Sequence, residues 1–190
     1  MTALEIIKKS AIILNLNEIL SDSSLNSIRA SNEEDCRDNN FTLNRMFEIL
    51  NIMLQDISTD YAQIQKEEVR DTTSMMISIS SLRNFMKVLS VKQNGVSVQY
   101  DLINGQIRLP SDGNYTVRYL ARATADSLLD EINMFNGKVG DDVLVYGLTA
   151  LYCLAVGLFD EFNVYNSIYV DKLDALKTLK IINMPCRRWE

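Results

Sequence analysis

The sequence predicts an α+β protein in which helices surround a β-meander. Three turn dipeptides, Asn94-Gly95, Asn104-Gly105 and Asp112-Gly113, divide residues 85–121 into segments of alternating apolar and polar side chains, which is the pattern of half-buried strands. Helical patterns occupy the residues on both sides. The predicted fold is a helical protein with N-terminal helices, a long C-terminal antiparallel helix pair, an inserted four-stranded antiparallel β-meander and an extended C-terminal tail. Its 190 residues suit a single domain.

The N-terminal part predicts two helices separated by a polar loop. Residues 3–20 place apolar side chains on one stripe of a helix. Residues 21–40 are rich in Ser, Asn, Asp and Glu, and a loop of this length is expected to be mobile or to bind something. Thr42 is the expected N-cap of a second helix over 43–61, where apolar side chains recur with helical spacing. Residues 1–61 are therefore expected to be helical around the loop.

The β-element is expected over residues 75–121, with its meander formed by four strands near 85–92, 96–102, 106–110 and 114–121. Two-residue loops at the Asn-Gly dipeptides suit type I′ turns. A three-residue loop over 111–113 keeps the apolar face continuous, because it pairs Ile107 with Val117. The predicted apolar face comprises Leu89, Val91, Val98, Tyr100, Leu102, Ile107, Leu109, Tyr115 and Val117.

Residues 143–181 predict an antiparallel helical hairpin. Val143–Phe159 is free of charged residues over 17 positions, close to the shortest membrane span. The flanking charges are all acidic: Asp141, Asp142, Asp160 and Glu161. Membrane spans usually have basic residues on one side, so we expect no membrane span and a helix buried in a protein core or a subunit interface. Residues 164–181 form its partner after a short connection at 161–163.

Few side chains indicate catalysis. The chain has no histidine, which removes the commonest general base and metal ligand. Its three cysteines, Cys36, Cys153 and Cys186, show neither metal-ligand nor disulfide spacing. The acidic pairs that flank the uncharged helix suit helix ends better than acid–base chemistry. We expect no enzyme, metal or cofactor, and the net charge of −6 argues against a nucleic-acid-wrapping surface.

The tail over 182–190 is the candidate binding element. Arg187, Arg188 and Trp189 follow Pro185, and Trp and Arg are the types most enriched at interface hot spots. Trp189 either docks on a partner or folds back on its own core, and the sequence leaves both alternatives open.

Several motifs then occur in a recognisable order. They are Leu109-Pro110-Ser111-Asp112, Val117-Arg118-Tyr119, Gly147-Leu148-x-Ala150-Leu151-Tyr152, Tyr169-x-x-Lys172-Leu173 and Arg187-Arg188-Trp189. From about residue 42 to residue 190 the chain resembles the head–tail connector, or adaptor, proteins of tailed bacteriophages, and the first motif resembles a turn of some podoviral adaptors. One departure is that many relatives have a proline shortly after the Val-x-Tyr strand, where this chain has Leu120-Ala121-Arg122-Ala123.

The resemblance implies a structural virion protein that is assembled in the host cytoplasm. Twelve copies would form a ring beneath the portal, extend the DNA channel and attach tail or neck proteins, while DNA passes without sequence-specific binding. The tail residues Arg187, Arg188 and Trp189 would dock to the portal. Candidates for the ring interface lie on the uncharged helix: Tyr146, Leu151, Tyr152 and Phe159.

Two other classes of function compete with this expectation. A cytosolic interaction module would bind a partner through the C-terminal hairpin and tail. An enzyme would have to rely on carboxylates, with water or a metal ion, since no histidine is available.

Overall fold

The chain folds as two units, one helical and one built mainly of strands. The computed structural model describes residues 1–16 and 37–181, with the backbone alone for 37–40 and 177–181. Residues 1–56 and 125 onward belong to the first unit, and residues 57–124 form the second. Within the described residues there are four α-helices, a four-stranded antiparallel sheet and a three-stranded antiparallel sheet. The mixed α and β composition predicted from the sequence is confirmed.

The helices of the first unit are α1 (Ala3–Ile13), α2 (Arg37–Asp56), α3 (Asp141–Val156) and α4 (Phe159–Ile181). The second unit contains a π-helical turn (Ile57–Tyr61) and a 3₁₀ turn (Ile79–Ser81). Its strands are β1 (Ile64–Thr72), β2 (Met76–Ser78), β3 (Phe85–Gln93), β4 (Val96–Ser97), β5 (Asp101–Ile103), β6 (Gln106–Arg108) and β7 (Gly113–Ala121).

The first helix begins with a capping box and is shorter than predicted. The side chain of Thr2 accepts a hydrogen bond from the backbone of Glu5, and the Glu5 carboxylate accepts one from the backbone of Thr2. The helix ends at Ile13, where Asn15 turns to a left-handed φ of 57°. Residues 17–36, which hold the rest of this predicted helix and most of the predicted loop, lie outside the described residues.

The second helix confirms the predicted stripe but not the predicted cap. Leu43, Met46, Leu50 and Met53 are buried, as their spacing requires. Thr42 lies inside the helix, which already begins at Arg37, so its assignment as the N-cap is wrong. The π-helical turn carries the helical path on to Tyr61.

The last two helices form the predicted antiparallel hairpin, although the connection lies earlier in the chain. Lys172 pairs with Asp142, while Phe162 donates a backbone hydrogen bond to Leu158 close to the turn. The turn is at Gly157, which caps α3 with a left-handed φ of 83°. Residues 161–163 are helical, so the connection predicted there is wrong.

The four-stranded sheet has the order β1-β7-β3-β4, and the three-stranded sheet has the order β2-β6-β5. Both Asn-Gly hairpins are confirmed. Gln93 pairs with Val96 across the first turn, and Ile103 pairs with Gln106 across the second.

The third predicted hairpin is wrong. Strand β6 pairs with β2 and β5, whereas β7 pairs with β1 and β3, so Ile107 does not pair with Val117. The predicted second strand is also divided into β4 and β5, and the side chains of Leu89 and Leu102 are exposed rather than on an apolar face. The physical reason is that both sides of β7 are occupied by other strands, by β3 and by β1, an unpredicted charged edge strand.

Candidate subunit interface

The middle of α3 is locked between two other helices at Gly147. A Cβ atom at this position would lie 2.5 Å from Met53 Sδ of α2 and 2.6 Å from Tyr169 Cε2 of α4. Atoms of ordinary side chains do not approach so closely, so glycine is what allows the three helices to meet here.

A buried carbonyl group fixes α1 to the same helix. The carbonyl oxygen of Val145 accepts hydrogen bonds from Ser10 Oγ at 3.1 Å and from Thr149 Oγ1 at 2.8 Å. Both hydroxyl groups belong to fully buried residues, which satisfies their need for a partner away from water. The packing explains why the helix carries no charge along most of its length: it forms part of the core of its own unit.

The four predicted ring-interface residues differ in how far they are exposed to solvent. Tyr152 belongs to the core, with 8% of its surface exposed, and Tyr146 and Leu151 are half-buried. Phe159 is 63% exposed. Of the four, Phe159 is therefore the one with most of its side chain available to a partner.

Phe159 belongs to a group of exposed hydrophobic residues at the turn of the hairpin, which we call the apolar tip. The apolar tip comprises Leu154, Val156, Leu158, Phe159 and Val164. These residues lie close together in sequence around one turn, and exposed apolar patches mark interaction surfaces. Of these five residues, the sequence predicted only Phe159 as an interface residue. The uncharged run that continues through Gly157 could have indicated its neighbours as well. Arg45 of α2 donates a hydrogen bond to the carbonyl oxygen of Ala155, which holds the last turn of α3 in place.

A second surface feature, which we call the α1–α3 groove, lies at the beginning of α3. It has a volume of about 340 Å³ and is lined by Lys9, Ile12, Ile13, Asp141, Asp142, Val145 and Tyr146. Ile12 is 61% exposed despite its apolar side chain. The Lys172 ammonium group forms an ion pair with Asp142 and lies 5.7 Å from the centre of the Tyr146 ring.

The charged side chains of the groove differ in the partners that they have within the protein. The hydrogen bond from Lys172 holds the pKa of Asp142 below its usual range. Asp141 is exposed and forms no ion pair with another described residue. Lys9 donates to Met1 Sδ, which is a weak acceptor. Asp141 and Lys9 are therefore open to charged groups of a ligand.

The other candidates from the sequence contribute less to this surface. Arg187, Arg188 and Trp189 lie outside the described residues. Asp160 and Glu161 lie in the first turn of α4, where the helix dipole favours negative charge. The Cys153 thiol is buried, and this burial raises its pKa.

The described ranges lack the features of two other classes of site. Among these residues there is no group of three or more Cys, Asp or Glu side chains placed to hold a metal ion. None of the helices in this part of the chain combines the length and the apolar character that crossing a membrane requires.

Comparison with known proteins does not test the predicted membership in the connector family, which stays a prediction. No protein-family model matches the chain, and no curated protein matches it either. Of the motifs that carry the resemblance, Val117-Arg118-Tyr119 lies in β7, and Leu109-Pro110-Ser111-Asp112 connects β6 to β7. In that connection Asp112 Oδ1 accepts a hydrogen bond from the backbone of Met75 at 2.8 Å.

Proposed function

We propose that this protein is a structural virion protein, a head–tail connector that forms a ring below the portal. The observation that carries the proposal is the apolar tip, where five large hydrophobic side chains are exposed beside a tightly packed hairpin. Obligate subunit interfaces are more apolar than ordinary surface. A neighbouring subunit that covers the apolar tip would remove this surface from water.

The order of the two units supports the same proposal. The strand-rich unit over 57–124 is inserted between α2 and α3 of the helical unit, as the resemblance to connector proteins implies. In the proposed assembly twelve copies extend the DNA channel, and tail proteins attach to the ring. The net charge of −6 would let DNA slide through rather than adhere.

The tail would supply the contact to the portal. Trp189 and its two preceding arginines combine a large apolar area with two cationic groups, a composition typical of interface hot spots. The proposal involves no catalytic step, and the protein would act in the virion after assembly in the host cytoplasm.

A reconstitution with the portal ring tests this proposal through the apolar tip. Replacement Phe159→Asp places a charge in the proposed interface, so we expect fewer copies per portal ring, measured by mass photometry. Leu129→Asp is the matched control, because Leu129 is 67% exposed in the same unit but outside the hairpin. Equal loading of the two variants would refute the role of the apolar tip, and no binding by the wild-type chain would refute the connector itself.

A further inference from the structure

The α1–α3 groove has the character of a binding site for an aromatic side chain with charged neighbours. Ile12, Ile13 and Val145 supply apolar walls, and the Tyr146 ring adds an aromatic surface. A volume of about 340 Å³ accommodates a large ring. The opposite charges of Asp141 and Lys9 at its edge call for a ligand that carries both cationic and anionic groups.

Among the residues outside the described ranges, one segment has this composition. Arg187, Arg188, Trp189 and Glu190 place two cations and one anion around the only tryptophan of the chain. Arginine side chains next to Asp141 and a carboxylate next to Lys9 would pair opposite charges, while the indole ring would meet the apolar walls and Tyr146.

The end of the described chain lies within reach of the groove. Helix α4 runs antiparallel to α3 and passes Asp142, a groove residue, at Lys172. From Lys172 to Ile181 the helix advances about 14 Å at its usual rise. Eight further residues lead to Trp189, and an extended chain of that length spans roughly 26 Å. The segment is therefore long enough to turn back along the helix.

We infer that the α1–α3 groove binds the Arg187–Glu190 segment of its own chain, with Trp189 as the anchor. The groove thereby holds the segment that the proposed function assigns to portal docking. A free subunit keeps its docking segment in the groove, and the portal must displace it. Binding of the segment in the groove is a property of the free chain. Its displacement by the portal rests on the proposed function.

Tryptophan fluorescence tests the inference directly, because Trp189 is the only tryptophan. In the dilute full-length chain we expect emission at shorter wavelength, and weaker quenching by acrylamide, than in the same chain unfolded in urea. Replacement Ile12→Glu should abolish both differences by placing a charge in the apolar wall. Ile52→Glu is the matched control, since Ile52 is 57% exposed on α2 and does not line the groove.

A second variant distinguishes loss of binding in the groove from a folding defect of the Ile12→Glu variant. Arg187→Glu combined with Arg188→Glu changes no residue of the four described helices, and it should also expose Trp189 because it sets like charges against Asp141. Emission like that of the unfolded chain would overturn the inference, as would protection that neither variant removes. Protection that disappears on dilution would assign the bound segment to a second copy and overturn the assignment to the same chain. A protected tryptophan without any portal binding would contradict the proposed function alone.

Discussion

Replacement of Gly147 by alanine tests the helix packing on which the candidate interface depends. An alanine in the middle of a helix is favoured over glycine by about 1 kcal/mol. Here the new Cβ would lie 2.5 Å from Met53 Sδ and 2.6 Å from the Tyr169 ring. Overpacking of this kind costs about 1–3 kcal/mol. The Tyr169 ring is buried and has little room to move, so we expect a cost in the upper part of that range, about 2–3 kcal/mol. After the gain in helix propensity is subtracted, the expected net loss is about 1–2 kcal/mol.

Urea unfolding followed by circular dichroism at 222 nm measures this loss. With a slope of about 2 kcal/mol per molar urea, the midpoint should fall by about 0.5–1 M without a change in slope. The penalty should shrink in a Met53→Ala background, since one of the two colliding groups is then gone. Gly157→Ala is the control, because its cost arises from its left-handed backbone and nothing lies near its Cβ. A Gly147→Ala variant as stable as the wild type would refute the close approach of the helices.

Three further replacements probe the strand-rich unit, each by urea unfolding. Tyr119→Phe removes the hydroxyl group that donates to Glu68, at a cost of about 1 kcal/mol near neutral pH. This hydrogen bond holds the pKa of Glu68 below its ordinary 4.5. It therefore stabilises the fold above that pH and is lost as the pH falls through the folded-state pKa, so the variant should lose part of the acid dependence; an unchanged pH profile would contradict this. Ser58→Ala leaves the buried backbone N–H of Ala123 without its acceptor, and we expect a loss of about 1–3 kcal/mol rather than an unchanged midpoint. Gly105→Ala should cost about 1–2 kcal/mol through backbone strain alone, since φ is +73° and the Cβ would meet no neighbour; equal stability would contradict the assigned turn.

Local signals in the sequence predicted the two Asn-Gly turns and the presence of the four described helices. Asn94-Gly95 and Asn104-Gly105 specify their hairpins because both central residues adopt positive φ. The uncharged run after Asp142 predicted a buried helix, and the helical spacing around Met46 predicted helix α2. In each case the information lies within a few consecutive residues.

Strand pairing over longer distances could not be predicted in this way. Strand β1 carries mainly charged and polar side chains, as protected edge strands often do, so its alternation of burial leaves no apolar pattern to recognise. The prediction therefore paired β7 with β6, the strand that precedes it in sequence, whereas β7 lies between β1 and β3. The candidate interface shows the same limit. The chain turns at Gly157, so Phe159 begins α4 and is exposed, whereas Tyr152 lies inside α3 and is buried.

The central claim is that this chain is a ring-forming connector, and cryo-electron microscopy of the chain bound to its portal tests it most directly. We predict a closed ring of twelve copies below the portal, with the apolar tip covered by a neighbouring subunit and Trp189 in contact with the portal. A portal ring that carries no density for this chain at saturating concentration, while the chain remains monomeric, would contradict the claim.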